Sequence, residues 1–115
     1  MDSNDEQQRI CLIYGASYVG VDPEMKLGIS RSALDNTMPL NGLRYQIEGD
    51  TSGWYIWGGE EFSDDPDFFI PMHIKHVMSS SPQIVRYLGL PPGWRFLTVP
   101  PDYEDVWEDY ELLDS

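Results

Sequence analysis

Two histidines offer the best opportunity for metal or catalytic chemistry in this chain of 115 residues. His73 and His76 are three residues apart, so on a helix they would lie on roughly the same face. Together with Asp64, Asp65 and Asp67 they could bind a divalent metal ion, as in a small metal-dependent enzyme. Two imidazoles are a weak ligand set, however, and a half-exposed histidine pair packed against a sheet explains the spacing better. We therefore predict no bound metal and no cofactor.

Other kinds of catalysis lack the residues that they need. No Gly-rich loop precedes a Lys-Ser or Lys-Thr pair, so no segment is suited to holding a phosphate. Cys11 lies in an apolar run, which favours a small buried role over a reactive thiol. Glu60 and Glu61 would point to opposite sides of an extended chain, so they fit a binding rim better than an acid and base pair. We predict that the protein is not an enzyme.

The acidic residues are concentrated in two stretches. The formal net charge is -13, from 20 acidic and 7 basic residues. Nucleic acid and anionic membranes would be repelled, whereas a basic protein would be attracted. The acids cluster at residues 60–67 and 102–114, and the second stretch contains no Lys or Arg. High charge can simply maintain solubility, but clustering favours a functional face.

Large aromatic residues accompany both acidic stretches. Aromatic anchors inside a charged rim are typical of protein interfaces. For Trp57, closing the end of the hydrophobic core is an equally good interpretation. The predicted partner-binding residues are Trp57, Glu60, Glu61, Phe62, Asp64, Asp65 and Asp67 in the first stretch, and Asp102, Glu104, Asp105, Trp107, Glu108 and Asp109 in the second.

The segment that must position the first stretch is an aromatic strand. Residues 54–57 form a WYIW block between glycines, which predicts a buried strand. Alternation places Trp54 and Ile56 on one face and the other two aromatic rings on the opposite face, so a second surface must cover them. Trp54, Tyr87 and Trp94 are predicted to fill the core.

The remaining sequence predicts a single α+β domain at residues 9–115, preceded by a flexible acidic segment at residues 1–8. Further strands are predicted at 9–14, 25–29 and 94–99, with an edge strand or docked tail near 106–107; the short apolar run at 9–14 is also compatible with a helical turn. A tight turn is predicted at Asn41-Gly42, a helical turn capped by Ser30 or Ser32, and a helix that is interrupted and restarts at Pro82. The expected fold is a largely antiparallel sheet of four to six strands with a broken helix pair packed on one face.

The chain also has several motifs in a distinctive order. MKLGIS, PLNGLRY, SGWYIW, EEFSDDPDFF, PPGWRF and YEDVW follow one another between residues 25 and 113. In these motifs the chain resembles bacterial immunity-protein family thirty-three and its close relatives, formerly a domain of unknown function. The resemblance implies an antidote in a polymorphic toxin system, encoded near a secreted toxin.

Together, these lines predict a domain that neutralises a cognate toxin by covering its basic surface, without catalysis. The alternative is an adaptor domain of a larger assembly that uses the same surface on a cellular partner. No apolar run approaches the roughly 20 residues that span a membrane, and the segment MDSNDEQQ is too polar for a signal peptide. A cytoplasmic location is therefore predicted.

Overall fold

The protein is built on one mixed sheet. A computed structural model describes residues 3–59, 63, 65 and 67–114. Within these residues the strands are β1 Lys26–Ser30, β2 Leu40–Arg44, β3 Thr51–Gly58, β4 Phe69–His73, β5 Trp94–Val99 and β6 Tyr103–Glu108. They lie in the order β4-β1-β3-β2-β5-β6. The β1–β3 pair is parallel, and the other neighbouring pairs are antiparallel.

Helical segments pack on one face of this sheet. They are α1 Ser3–Tyr14, α2 Arg31–Leu34, α3 Ile74–Ser80 and a 3₁₀ helix Pro82–Tyr87, and a second 3₁₀ helix, Tyr110–Leu113, follows β6. The main core joins Ile10 of α1 and Val77 of α3 to Leu27 and Phe96 of the sheet. The predicted α+β class is confirmed, with a mostly antiparallel sheet and a helix that breaks and restarts at Pro82.

The aromatic strand β3 lies inside the sheet, between β1 and β2. Trp54 and Ile56 are fully buried in the main core, whereas Trp57 belongs to a second cluster with Leu43. This confirms the alternation predicted along the aromatic strand. It also confirms that side chains on the opposite face pack against a second set of residues. Among the other residues predicted for the core, Tyr87 is buried, but Trp94 is only partly buried against the main core.

The prediction of a strand at residues 9–14 is wrong, because these residues continue helix α1. Gln7, Ile10 and Cys11 are buried at helical spacing, while Leu12 is 83% exposed. Within residues 1–8, where a flexible segment was predicted, Gln7 is buried and its amide donates to the Val85 carbonyl at 3.0 Å. This distant contact stabilises a helix that the short apolar run could not indicate.

The tight turn predicted at Asn41-Gly42 is wrong as well, because both residues lie in β2. The ring of Phe96 occupies the space where a side chain at Gly42 would stand, so the glycine permits close packing rather than a turn. The amide of Asn41 donates to the Gly59 carbonyl at 2.8 Å. In contrast, the short helical turn is capped as predicted, since the Ser30 hydroxyl accepts from the Ala33 amide at 3.1 Å.

A buried arginine connects the sheet to the segments around it. Arg44 is fully buried and donates to the carbonyls of Ser52 at 2.9 Å, Leu90 at 2.7 Å and Gly20 at 3.1 Å. Burial lowers the pKa of Arg44 to about 10, so the guanidinium stays charged at neutral pH. Backbone carbonyls thus compensate a buried charge, an arrangement that the sequence did not reveal.

Candidate functional site

The face of the sheet opposite the main core carries a layer of aromatic side chains. We call this surface the open face. Tyr45 and Tyr55 meet edge to face at 5.6 Å between ring centroids, Tyr55 and Phe69 at 5.1 Å, and Phe68 and Phe69 at 4.9 Å. These four rings are partly buried and pack against the second cluster of Leu43, Trp57 and Leu112. The layer therefore has buried side chains at its base and partly exposed aromatic rings above them.

Trp57 lies at the base of this layer. Its ring is 4% exposed and packs against Phe69 with 6.4 Å between centroids. In this structure the residue closes the core on the open face, as the alternative interpretation of Trp57 supposed. Its contribution to a partner surface is therefore to support the neighbouring rings rather than to present its own.

A hollow of about 510 Å³ opens in the layer beside β1 and β3. Its aromatic lining comes from Tyr45, Tyr55 and Phe69. Gly28 creates part of the space, because a Cβ atom at this position would stand 2.9 Å from the Tyr55 ring. This hollow was not predicted from the sequence: the alternation of β3 could have indicated Tyr55, but Tyr45 was not assigned to a strand.

Charged residues border the hollow. Asp50 and Asp65 line it together with Lys26, whose ammonium lies 3.4 Å from the Asp50 carboxylate. The side chains of Lys26 and Asp50 are 45% and 74% exposed. An ion pair with this much exposure contributes little to stability and can exchange partners. The hollow therefore has acidic walls above an aromatic base.

The first acidic stretch is described in part. Asp65 and Asp67 are exposed, and the Asp67 amide donates to the Asp65 carboxylate at 2.9 Å. This bond leaves both carboxylates accessible, with Asp65 at the hollow. The predicted residues Glu60, Glu61, Phe62 and Asp64 lie outside the described residues.

The second acidic stretch divides between the two faces of the edge strand β6. Asp102, Asp105 and Glu108 are exposed, in agreement with a surface role. Glu104 and Glu108 share the side of β6 that faces the helices. Glu104 accepts hydrogen bonds there from the hydroxyls of Tyr14 at 2.7 Å and Tyr87 at 2.6 Å. Glu104, which was predicted to belong to a binding rim, therefore has a structural role within the protein.

This carboxylate is held in its charged form. Burial opposes ionisation, but the two phenol hydrogen bonds and the charge of Arg86, 3.7 Å away, lower the pKa of Glu104 below its ordinary value. Burial and the bond to Glu104 raise the pKa of Tyr14 to about 12, and they raise the pKa of Tyr87 as well. The group fastens β6 to α1 and to the 3₁₀ helix Pro82–Tyr87.

Asp109 and Trp107 are also engaged within the protein. The Asp109 carboxylate accepts from the Arg95 guanidinium at 3.3 Å and from the Glu111 amide at 3.2 Å, which caps the last 3₁₀ helix. The same guanidinium lies over the Trp107 ring, 5.5 Å from its centroid. Trp107 is partly buried and lies at the β6 side of the open face under this cation.

The two histidines do not share a helix. His73 has an extended backbone and precedes the first residue of α3, whereas His76 lies within α3. Their rings are 6.0 Å apart in an edge-to-face arrangement. Among the described residues, no group of three or more His, Cys, Asp or Glu side chains could hold a metal ion.

The aromatic strand, the first acidic stretch and part of the second fall within one region of family similarity. The Imm33-like domain family matches residues 6–109. No curated protein and no solved structure matches the chain. No helix in the described part of the chain is long and apolar enough to cross a membrane. Because the match extends over most of the chain and agrees with the resemblance of its motifs, the protein belongs to the Imm33-like domain family.

Proposed function

We propose that the protein is an immunity protein that binds a cognate bacterial toxin and neutralises it without catalysis. The family description is consistent with an immunity protein. The observation that carries the proposal is the open face, where an aromatic layer lies between acidic residues on both sides. Asp65 and Asp67 precede β4 at one edge of the sheet, and Asp105, which alternates with the inward-facing Glu104 and Val106, lies on β6 at the other edge.

The two components of this surface have different roles in binding. The exposed carboxylates and the net charge of -13 attract a basic surface over distances of about 8–10 Å, the screening length at physiological salt. The partly buried rings of Tyr45, Tyr55 and Phe68 then supply apolar contact area. Neutralisation follows because the bound domain covers the basic active or substrate site of the toxin.

Glu104 and Asp109 contribute less to this surface than their sequence positions predicted, because hydrogen bonds and ion pairs within the protein engage both. The steering charge in the second stretch comes from Asp102 and Asp105, because Glu108 is exposed on the helical side of β6. In the first stretch we assign it to Asp65 and Asp67, together with the predicted residues Glu60, Glu61 and Asp64.

The proposal is tested with three variants that each lose two negative charges. Asp65→Asn with Asp67→Asn alters the β4 edge of the open face, and Asp102→Asn with Asp105→Asn removes two exposed carboxylates at its β6 edge. Asp5→Asn with Glu6→Gln, in the first turn of α1, is the matched control on the helical side. Asparagine at position 65 can still accept the Asp67 amide, so the loop bond is preserved.

The product of the adjacent gene is tested as the partner, and its association rate is measured at low and at high salt. We expect at least one open-face variant to associate several-fold more slowly than the control at low salt, with the difference disappearing at high salt. The acidic surface is excluded as the steering element if both open-face variants match the control. If the wild-type protein neither binds nor inhibits this partner, the immunity proposal fails, and co-purifying proteins become the test of an adaptor role.

A further inference from the structure

We infer that the hollow on the open face accepts an arginine side chain of the partner protein. The identity of the partner rests on the proposed function, but the chemistry of the hollow can be tested without the partner. The inference depends on three properties of the hollow: its shape, its charge and its free hydroxyl groups.

The shape suits a long side chain that ends in a flat group. The hollow has a volume of about 510 Å³, and the rings of Tyr45 and Phe69 stand at 76° and 72° to the Tyr55 ring. Steeply inclined rings offer both faces and edges, and a guanidinium stacks on an aromatic face through its planar, weakly hydrated surface. Gly28 keeps this lining open, because a Cβ there would press on Tyr55.

The charges favour a cation. Two carboxylates, Asp50 and Asp65, border the hollow with one ammonium, that of Lys26. Lys26 already pairs with Asp50 at 3.4 Å, whereas Asp65 has no ion pair within the described part of the chain. An entering guanidinium can therefore pair with Asp65 and compete with Lys26 for Asp50. An anionic group would meet one engaged ammonium and two carboxylates.

The hydroxyl groups add acceptors. Within residues 3–59, 63, 65 and 67–114, neither the Tyr45 nor the Tyr55 hydroxyl makes a hydrogen bond. Arginine carries five N–H donors in a rigid plane, so it can reach a carboxylate and a phenol oxygen together. Lysine carries a compact and strongly hydrated ammonium, which uses an aromatic lining less well. Arginine is therefore the side chain that uses every feature of the hollow.

The test uses the whole domain and small probes, with binding followed by NMR shifts of Gly28, Tyr55 and Phe69. The probe is N-acetylarginine amide, and N-acetylcitrulline amide is its uncharged counterpart of nearly the same shape. We expect saturable shifts with arginine, with a Kd on the order of 1–10 mM, and much weaker binding of citrulline. N-acetyllysine amide should bind less tightly than arginine.

Two variants then test the charges in opposite directions. Asp65→Asn should weaken arginine binding about two- to fivefold, the range expected of an exposed ion pair. Lys26→Met should tighten it by a similar factor, because the competitor for Asp50 is gone. Asp5→Asn, on α1, serves as the control and should leave the Kd unchanged. Unaltered melting temperatures show that the variants fold.

Three results would overturn the inference: no saturable shift with arginine, equal binding of citrulline, or weaker binding in Lys26→Met. The last result would show that Lys26 helps to hold the probe and does not compete with it for Asp50. None of these measurements involves a toxin, so they separate the two ideas. If arginine binds but the toxin does not, the inference stands and the proposed function is refuted. If the toxin binds but arginine does not, the proposed function stands and the inference is refuted.

Discussion

The substitution Glu104→Gln should destabilise the fold, although Glu104 belongs to an acidic stretch that otherwise forms surface. The side chain is 27% exposed and accepts hydrogen bonds from Tyr14 and Tyr87 at 2.7 and 2.6 Å. Glutamine has the same shape but no charge, and its amide nitrogen cannot accept from a phenol. One tyrosine must therefore turn its hydroxyl or lose its partner.

The expected loss follows from the strength of these bonds. A hydrogen bond to a charged group contributes about 1.5–3 kcal/mol, compared with about 0.5–1.5 kcal/mol for a neutral one. Changing both hydrogen bonds from charged to neutral would remove roughly 2 kcal/mol of stability, and the partial exposure of the side chain to water makes the loss smaller. We expect the free energy of unfolding to fall by about 1–2 kcal/mol, with a melting temperature lower by roughly 3–10 °C.

Urea unfolding at neutral and at acidic pH measures the effect. Because the folded protein lowers the pKa of Glu104, its contribution is present above the unfolded pKa and is lost as pH falls through the folded pKa. The difference between wild type and Glu104→Gln should therefore be largest at neutral pH and shrink on acidification. The control is Asp105→Asn, the next residue of β6, which points the other way and is exposed; it should change stability by less than about 0.5 kcal/mol.

A Glu104→Gln protein as stable as Asp105→Asn at neutral pH would refute this assignment. It would mean that the tyrosine contacts contribute nothing net, and Glu104 would then return to the set of carboxylates available to a partner.

Three further predictions concern other buried or partly buried groups. Trp54→Ala should cost roughly 3–5 kcal/mol in unfolding measurements, and Trp94→Ala clearly less, because Trp54 is fully buried and Trp94 is only partly so; equal losses would contradict this packing. Arg44→Lys should destabilise the fold by roughly 3 kcal/mol or more, and at least as much as Arg44→Met. The lysine keeps the buried charge but lacks the planar donors that bind three segments. A lysine variant that unfolds like wild type would be inconsistent with that role. Folding raises the pKa of Tyr14 to about 12, so its contribution to stability is complete below the unfolded pKa near 10 and is lost as pH rises toward 12. Tyr14→Phe should therefore lose less stability than wild type over this alkaline range. Equal losses in the two proteins would exclude a contribution from Tyr14.

Much of the fold could be predicted because local pattern and packing agree. The glycine-bounded aromatic block has a period of two, and β3 places Trp54 and Trp57 on opposite faces as that period requires. Pro82 begins the 3₁₀ helix as its restricted backbone favours. The errors occur where a contact with a residue distant in the sequence determines the local structure. Gln7 bonds to Val85, and Phe96 packs over Gly42, so neither contact is visible in the local sequence.

The candidate site shows the same limit. Alternation along β6 separates Glu104 from Asp105, but it does not say which side is internal. That choice depends on Tyr14 and Tyr87, which come from two other segments of the chain. The hollow likewise required Gly28 of β1 beside Tyr55 of β3, a pairing set by the parallel register of these strands.

The central claim, that the open face binds the toxin, is tested most directly by hydroxyl-radical footprinting of the free protein and of its complex with the adjacent-gene product. Side chains on the two sides of the sheet serve as internal references. The account predicts that Tyr45 and Tyr55 become protected in the complex, while Leu12 and Ile13, which are 83% and 60% exposed on α1, are oxidised as in the free protein. Protection of Leu12 and Ile13 with unchanged oxidation of Tyr45 and Tyr55 would contradict it and place the partner on the helical side.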